Sequence, residues 1–428
     1  MLPTKSIGAQ YHAATHHSYR SVLIDPNYVD ASTQPSPFKI YPKFYRRFPF
    51  NPDDPTHSFL RLTSTITFNK HYKEGLYPLR VNPSAGALFP TEIYVQLRGV
   101  KGMIDGIYHL EVVTDSLTLI YELIDDGLEA YIVPDRIVKG FIFLVSCVYF
   151  RSSWKYKNRS FRYCLLDSGH HLGAIEASAT VHDRNTEIIF EFDRVGLNQD
   201  LGFENKEFGV ACVIIGETRE KSVRRLRSPI PFVSGTDYFE PNSFVEEAYQ
   251  ATLTPPSPPQ IFQAFPFPFD KNRYSESILN RRSARRFKRQ EISQADFSTL
   301  LQVLEQPLPT TSHEAIEIYI VVNRVKDLEP GLYRHNQLLQ AGDFSEKAGY
   351  LCINQAIARD SALTLFFTAT ATNYQVATQL AGLIAHRLYL ASDYLGLGCS
   401  GIGAYYDEET RDFLQIPHHI FYAMAIGL

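Results

Sequence analysis

The chain has 428 residues, 44% of them hydrophobic and 13% aromatic, with a formal net charge of −4. That length points to two domains rather than one, and the mildly acidic balance excludes the basic footprint of a nucleic-acid binder. Five scattered cysteines without a CxxC pair exclude a disulfide frame or a zinc knuckle and read as reduced thiols of a cytoplasmic protein.

The opening "MLPTKSIGAQYHAATHH" has no apolar core of a secretory signal. A small-residue turn, Asn82-Pro83-Ser84-Ala85-Gly86, stands before the strand pattern "TEIYVQLR" and would let a ligand approach the backbone. A second short strand "GIYHL" and an apolar strand at Gly140–Phe150 follow. "SSWKYKNRSFRY" then sets Lys155 beside Tyr156 at the entrance to a long apolar helix pattern, Arg162–Asp183, where a desolvated lysine could relay a proton. A strand closing on glycine, Gly209–Gly216, ends this run.

Thr252–Asp270 is rich in proline without periodicity and reads as a semi-rigid linker. Beyond it, Arg281, Arg282, Ser283, Arg285 and Arg286 form a dense cationic cluster suited to a phosphate, followed by a helix with Ser293 as its expected N-cap. The earlier order then repeats: "IEIYIVVN", "GLYRH", an apolar strand at Leu363–Ala371, a long apolar helix pattern at Gln375–Gly396, and a strand closing on Gly427. That helix pattern carries His386, Arg387 and Asp393, which suits a buried helix and not a membrane span. Glu92–Leu110 and Glu317–His335 share seven identities in nineteen gapless positions, where chance gives roughly one. A diverged duplication of a whole α+β domain is the expected organisation.

Gly396-x-Gly398-x-x-Gly401 follows a helix rather than a strand, so it is not a dinucleotide fingerprint. It reads as a helix exit into a glycine loop that can lie against a flat ligand. The adjacent pairs His16–His17, His170–His171 and His418–His419 lack metal-site spacing, so the histidines are read as structural and no metal is expected.

"RRSARRF" with "GLGCSGIGAYYDEETRDFLQIP" resembles the FMN-dependent nitroreductase fold. "YHAATHHSYRSV", "NPSAGALFPTEIYV" and "WKYKNRSFRYCLLDSGH" look like its SagB/ThcOx branch, the azoline dehydrogenases of thiazole/oxazole-modified peptide pathways. The resemblance implies two fused nitroreductase-like domains, 1–250 and 272–428 joined by a linker at 251–271, that form an intrachain pseudodimer. It implies one composite FMN site. Arg281, Arg282, Ser283 and Arg285 would hold the phosphate. Ser400, Gly401, Ile402 and Gly403 would face the ring, with Gln355 at the pyrimidine edge, and Asn82, Pro83, Ser84, Ala85 and Gly86 would cover it. Lys155 would be the catalytic base and Tyr156 its partner, oxidising a thiazoline or oxazoline in a small or peptide-derived substrate. The segment before residue 80 is too short for a separate leader-peptide clamp, so peptide-modifying cyclase or synthetase partners are implied. A NAD(P)H-dependent nitro- or quinone reductase and a non-catalytic scaffold are the alternatives.

Overall fold

The structure is a computed structural model that describes residues 7–25, 29–72, 75–254, 267–310, 312, 314–370 and 372–428. The middle of the expected linker, residues 255–266, lies outside the described residues. The chain divides into two compact units. The N-terminal unit comprises Val29–Leu279 and Leu308–Ser312; the C-terminal unit comprises Met1–Tyr28, Asn280–Pro307 and His313–Leu428. The units thus depart from the sequence-based boundaries at three places, residues 1–28, 272–279 and 308–312.

In the N-terminal unit, β1 (Arg47–Pro49), β4 (Thr91–Arg98), β5 (Gly106–Glu111), β6 (Ser116–Glu122), β7 (Arg136–Cys147), β8 (Glu187–Ile189) and β9 (Phe208–Glu220) make one sheet in the order β1-β6-β5-β4-β7-β9-β8. A separate ribbon pairs β2 (Ile66–Tyr72) with β3 (Gly75–Arg80). All eight residues of β4 are buried, which suits its β-branched and aromatic composition. β9 does not stop at Gly216 as its glycine suggested. It runs on to Glu220 because Gly216 lies opposite Gly140 in β7, and a side chain there would strike the Lys139 carbonyl.

In the C-terminal unit, β10 (Glu317–Val322), β11 (Gly331–Arg334), β12 (Gln337–Ala341), β13 (Leu363–Ala369), β14 (Gly398–Ile402) and β15 (His419–Gly427) make a sheet in the order β12-β11-β10-β13-β15-β14. Without β1, the first sheet has the same order, position for position. Register agrees as well. Tyr94 faces His109 and Leu97 faces Gly106 in β4/β5; Tyr319 faces Arg334 and Val322 faces Gly331 in β10/β11. Each unit therefore carries an α+β sheet of the same order, and the identical pairs Tyr94/Tyr319, Gly106/Gly331 and Tyr108/Tyr333 fall on paired residues of it.

The long apolar patterns are helices, Ser160–Val181 and Tyr374–Tyr394, buried along almost every residue. Such a helix draws its stability from packing on all sides rather than from an amphipathic stripe. Ser293 caps the helix Gln294–Leu304 by accepting the Asp296 N–H at 3.0 Å. All five cysteines are free and buried. Among the described residues, no helix is long and apolar enough to cross a membrane.

Candidate functional site

In the N-terminal unit, the turn Asn82–Gly86 meets Lys155 and Tyr156. Gly86 has a left-handed φ of 62°, and a Cβ placed on it would lie 2.7 Å from the Tyr156 hydroxyl and 3.3 Å from Lys155 Nζ. Glycine is required there twice, for conformation and for space. Two buried charges hold the parts in place. Asp167, on the helix Ser160–Val181, accepts the Ser84 hydroxyl at 2.5 Å and the Ala85 N–H at 3.2 Å. Arg151, on the same helix as Lys155, donates to the Phe89 carbonyl at 2.9 Å and pairs with Glu92 of β4 at 2.6 Å. One guanidinium thereby ties the helix Phe150–Tyr156 to the strand and to the far end of the turn.

Burial pushes the Asp167 carboxyl up to about 7, although its two hydrogen bonds pull the other way. Burial also raises the Tyr156 phenol, helped by Tyr163 and Asp167, so that Tyr156 is a neutral hydrogen-bond donor at physiological pH. Its ring lies against Tyr163 at 4.3 Å between centroids. Lys155 is half-buried, with Nζ 5.5 Å from the Tyr156 ring centre. The sequence expectation required a desolvated lysine. The fold alone does not supply that, so a ligand over the turn would have to complete its shielding.

In the C-terminal unit, the cationic cluster and the glycine segment lie side by side. The Ala284 N–H donates to the Cys399 carbonyl at 2.8 Å, which sets Ser283 beside β14. Arg281 is buried, with its guanidinium 5.3 Å from the Tyr389 ring centre, and burial pulls it down to about 10. Arg282 is half-buried and donates to the Arg281 carbonyl at 2.6 Å; Arg285 is exposed. Gln355 N-caps a short helix and donates to the Ala404 carbonyl at 3.3 Å, just past the glycine segment.

One expectation is corrected here. Ser400, Gly401 and Ile402 do not form a loop: they belong to β14, an edge strand paired with β15, and only Gly403 lies beyond it. The pairing partner is sequence-distant, so local glycine content misled. The Gly401 N–H donates to the Tyr389 hydroxyl at 2.5 Å, and Tyr389 has its hydrogen left for Ser283 Oγ at 2.9 Å. The Tyr422 hydroxyl fills the space where a Gly401 side chain would go. The Gly401 N–H is therefore already used by the Tyr389 hydroxyl.

Each unit holds groups that suit part of an FMN. In the C-terminal unit a buried guanidinium and a hydroxyl both lie against Tyr389, a pairing that suits a phosphate. Asn82 is fully buried, and neither polar atom of its amide has a hydrogen-bond partner among the described residues. Such unmet demand inside a protein is met by a ligand or an ordered water. Asp167, Arg151 and Tyr389 were missed as site residues because each acts on parts far away in sequence. A carboxylate within an otherwise apolar helix pattern was the available signal for Asp167.

Residues 278–428 match the family model described as Nitroreductase family. A 129-residue stretch, 26% of the chain, is 27% identical to a Methanocaldococcus jannaschii protein assigned to the nitroreductases, and spans 64% of that relative's length. A crystal structure of an Anabaena variabilis protein with the same assignment aligns over 99% of both chains with a TM-score of 0.80 and 24% identity, a likeness of fold. Nitroreductase A from Vibrio parahaemolyticus aligns over 36% of this chain and 67% of its own, at 21% identity and a TM-score of 0.29. Within the matched stretch fall Arg281, Ser283, Gln355, Tyr389 and β14.

Proposed function

We propose that the chain is an FMN-dependent oxidoreductase with one composite flavin site. On this reading the two units are diverged copies that form an intrachain pseudodimer. The common sheet order and the register repeated 225 residues apart support duplication. The observation that carries the function is that buried Arg281 and Ser283 both lie against Tyr389, inside the segment that matches the family.

Bound FMN would supply a two-electron acceptor that takes a hydride from the substrate. Arg281, Arg282 and Ser283 would hold its phosphate. Asn82–Gly86 would cover the ring, with Asp167 holding the turn. Lys155 takes the proton released when a thiazoline or oxazoline becomes aromatic, and neutral Tyr156 keeps Lys155 oriented. Dioxygen is the terminal oxidant, and a separate peptide-binding protein with its cyclase or synthetase delivers the substrate. The half-exposed Lys155 favours a second reading, a NAD(P)H-dependent nitro- or quinone reductase with an open site. A flavin-free scaffold has no use for both half-sites, which weighs against the third.

The test is the flavin count of purified protein after denaturation. One FMN per chain supports the composite site. Two would mean that both copies remain competent, and none in excess FMN would leave the scaffold. Oxidation of an azoline peptide by dioxygen, set against reduction of a nitroarene by NADPH, separates the two enzymatic readings.

A further inference from the structure

Among the described residues, one group of ligating side chains is close enough to share a cation: His12, His16 and His419, in the C-terminal unit. Their ligating nitrogens lie within 4.8 Å of one another. Pairing adjacent histidines hid the spacing that matters, His12-x-x-x-His16, which sets two imidazoles one helical turn apart. Residue 12 lies on the helix Ile7–Ala14, His16 just past its end, and His419 opens β15.

A carboxylate stands beside two of the three imidazoles. Asp407 Oδ1 is 3.6 Å from His12 Nε2 and 4.0 Å from His16 Nε2. Asp407 is itself held in place, because its Oδ2 accepts the His17 N–H at 2.8 Å and its own N–H donates to the His17 carbonyl at 3.0 Å. Behind the imidazoles stand the groups that orient metal-binding histidines in known sites. His12 Nδ1 faces the Tyr374 hydroxyl at 3.4 Å, and His16 Nδ1 faces Glu408 at 3.7 Å. Phe421 walls one side of His12, with ring centroids 5.2 Å apart.

We infer that His12, His16, His419 and Asp407 form a structural site for a divalent cation of the zinc class. Three imidazoles and a carboxylate are a tetrahedral zinc set, and a closed four-ligand shell marks a structural rather than a catalytic site. Zinc–nitrogen bonds of about 2.0–2.1 Å require the nitrogens to close in by on the order of 1 Å, which ring rotation supplies. Two of the ligands come from the first residues of the chain and two from the last, so the cation pins the N-terminal helix to β15 and to the helix Asp407–Leu414.

The experiment uses the untagged full chain, stripped with EDTA and dialysed against zinc sulfate, with metal counted by mass spectrometry. His12 is buried and is left intact; the substitutions are His16→Ala, His419→Ala and Asp407→Asn, with exposed His335→Ala as control. One zinc per chain is expected, falling at least tenfold in the two histidine variants and unchanged in the control. Zinc should raise the melting temperature of the parent and not that of His16→Ala, and cobalt in place of zinc should give a tetrahedral visible spectrum. If a histidine variant fails to fold in EDTA, Asp407→Asn carries the comparison. No zinc retained by the parent, or equal zinc in the folded variants, overturns the site.

Discussion

Replacing Asp167 with asparagine probes the buried carboxylate under the Asn82–Gly86 turn. The Asp167 carboxyl sits at about 7 in the folded chain against 3.8 as the ordinary value. A raised acid is fully stabilising below pH 3.8, where both states are protonated, and that contribution is lost as pH rises towards 7. Three units at 1.36 kcal/mol each amount to about 4 kcal/mol across that window. Asparagine cannot ionise, yet it can still accept the Ala85 N–H and bond to Ser84. The variant should therefore match the parent near pH 4 and exceed it by up to about 4 kcal/mol above pH 7. The chain's single tryptophan, Trp154, is in the N-terminal unit and donates to Thr33 at 2.9 Å. Its fluorescence in urea titrations from pH 4 to 8 follows that unit alone. Parallel stability curves for parent and variant would refute the assigned role of Asp167 as a costly buried charge.

Gly86→Ala places a methyl against the Tyr156 hydroxyl and forces alanine into a left-handed φ. It should cost about 1–2 kcal/mol in the Trp154 titration and lower flavin retention. Lys155→Ala should keep the flavin and cut turnover by about 10²–10⁴-fold; loss of flavin instead would make the residue structural. Tyr389→Phe leaves the Gly401 N–H without its acceptor, at about 1–3 kcal/mol. Amide exchange across Ser400–Ile402 should speed by about tenfold or more, and unchanged exchange would mean the hydroxyl is dispensable.

What could be read in advance was local. "TEIYVQLR" is β4 residue for residue, and Ser293 is the N-cap its sequence announced. Their hydrophobic pattern and capping chemistry need no distant partner. The glycine segment failed because β14 owes its strand to β15, some twenty residues on. Site residues divided in the same way. The turn, the Lys-Tyr pair and the arginine cluster stand together as short words in the sequence. Asp167, Arg151 and Tyr389 act on Ser84, Phe89 and Ser283 across gaps of 83, 62 and 106 residues. A single sequence does not show which distant backbone such a side chain will hold.

The make-up of the units has a consequence for how the protein is born. Residues 1–28 belong to the C-terminal unit, and 308–312 belong to the N-terminal one. The His17 amide finds its acceptor 390 residues downstream. At about 5–20 residues per second a ribosome needs roughly 20–80 s to deliver it. The helix Ile7–Ala14 thus waits unpartnered for that interval, while the other unit can close once Ser312 is out. Scission within 255–266 would not yield two self-sufficient fragments, because each piece would carry a part that the other one needs.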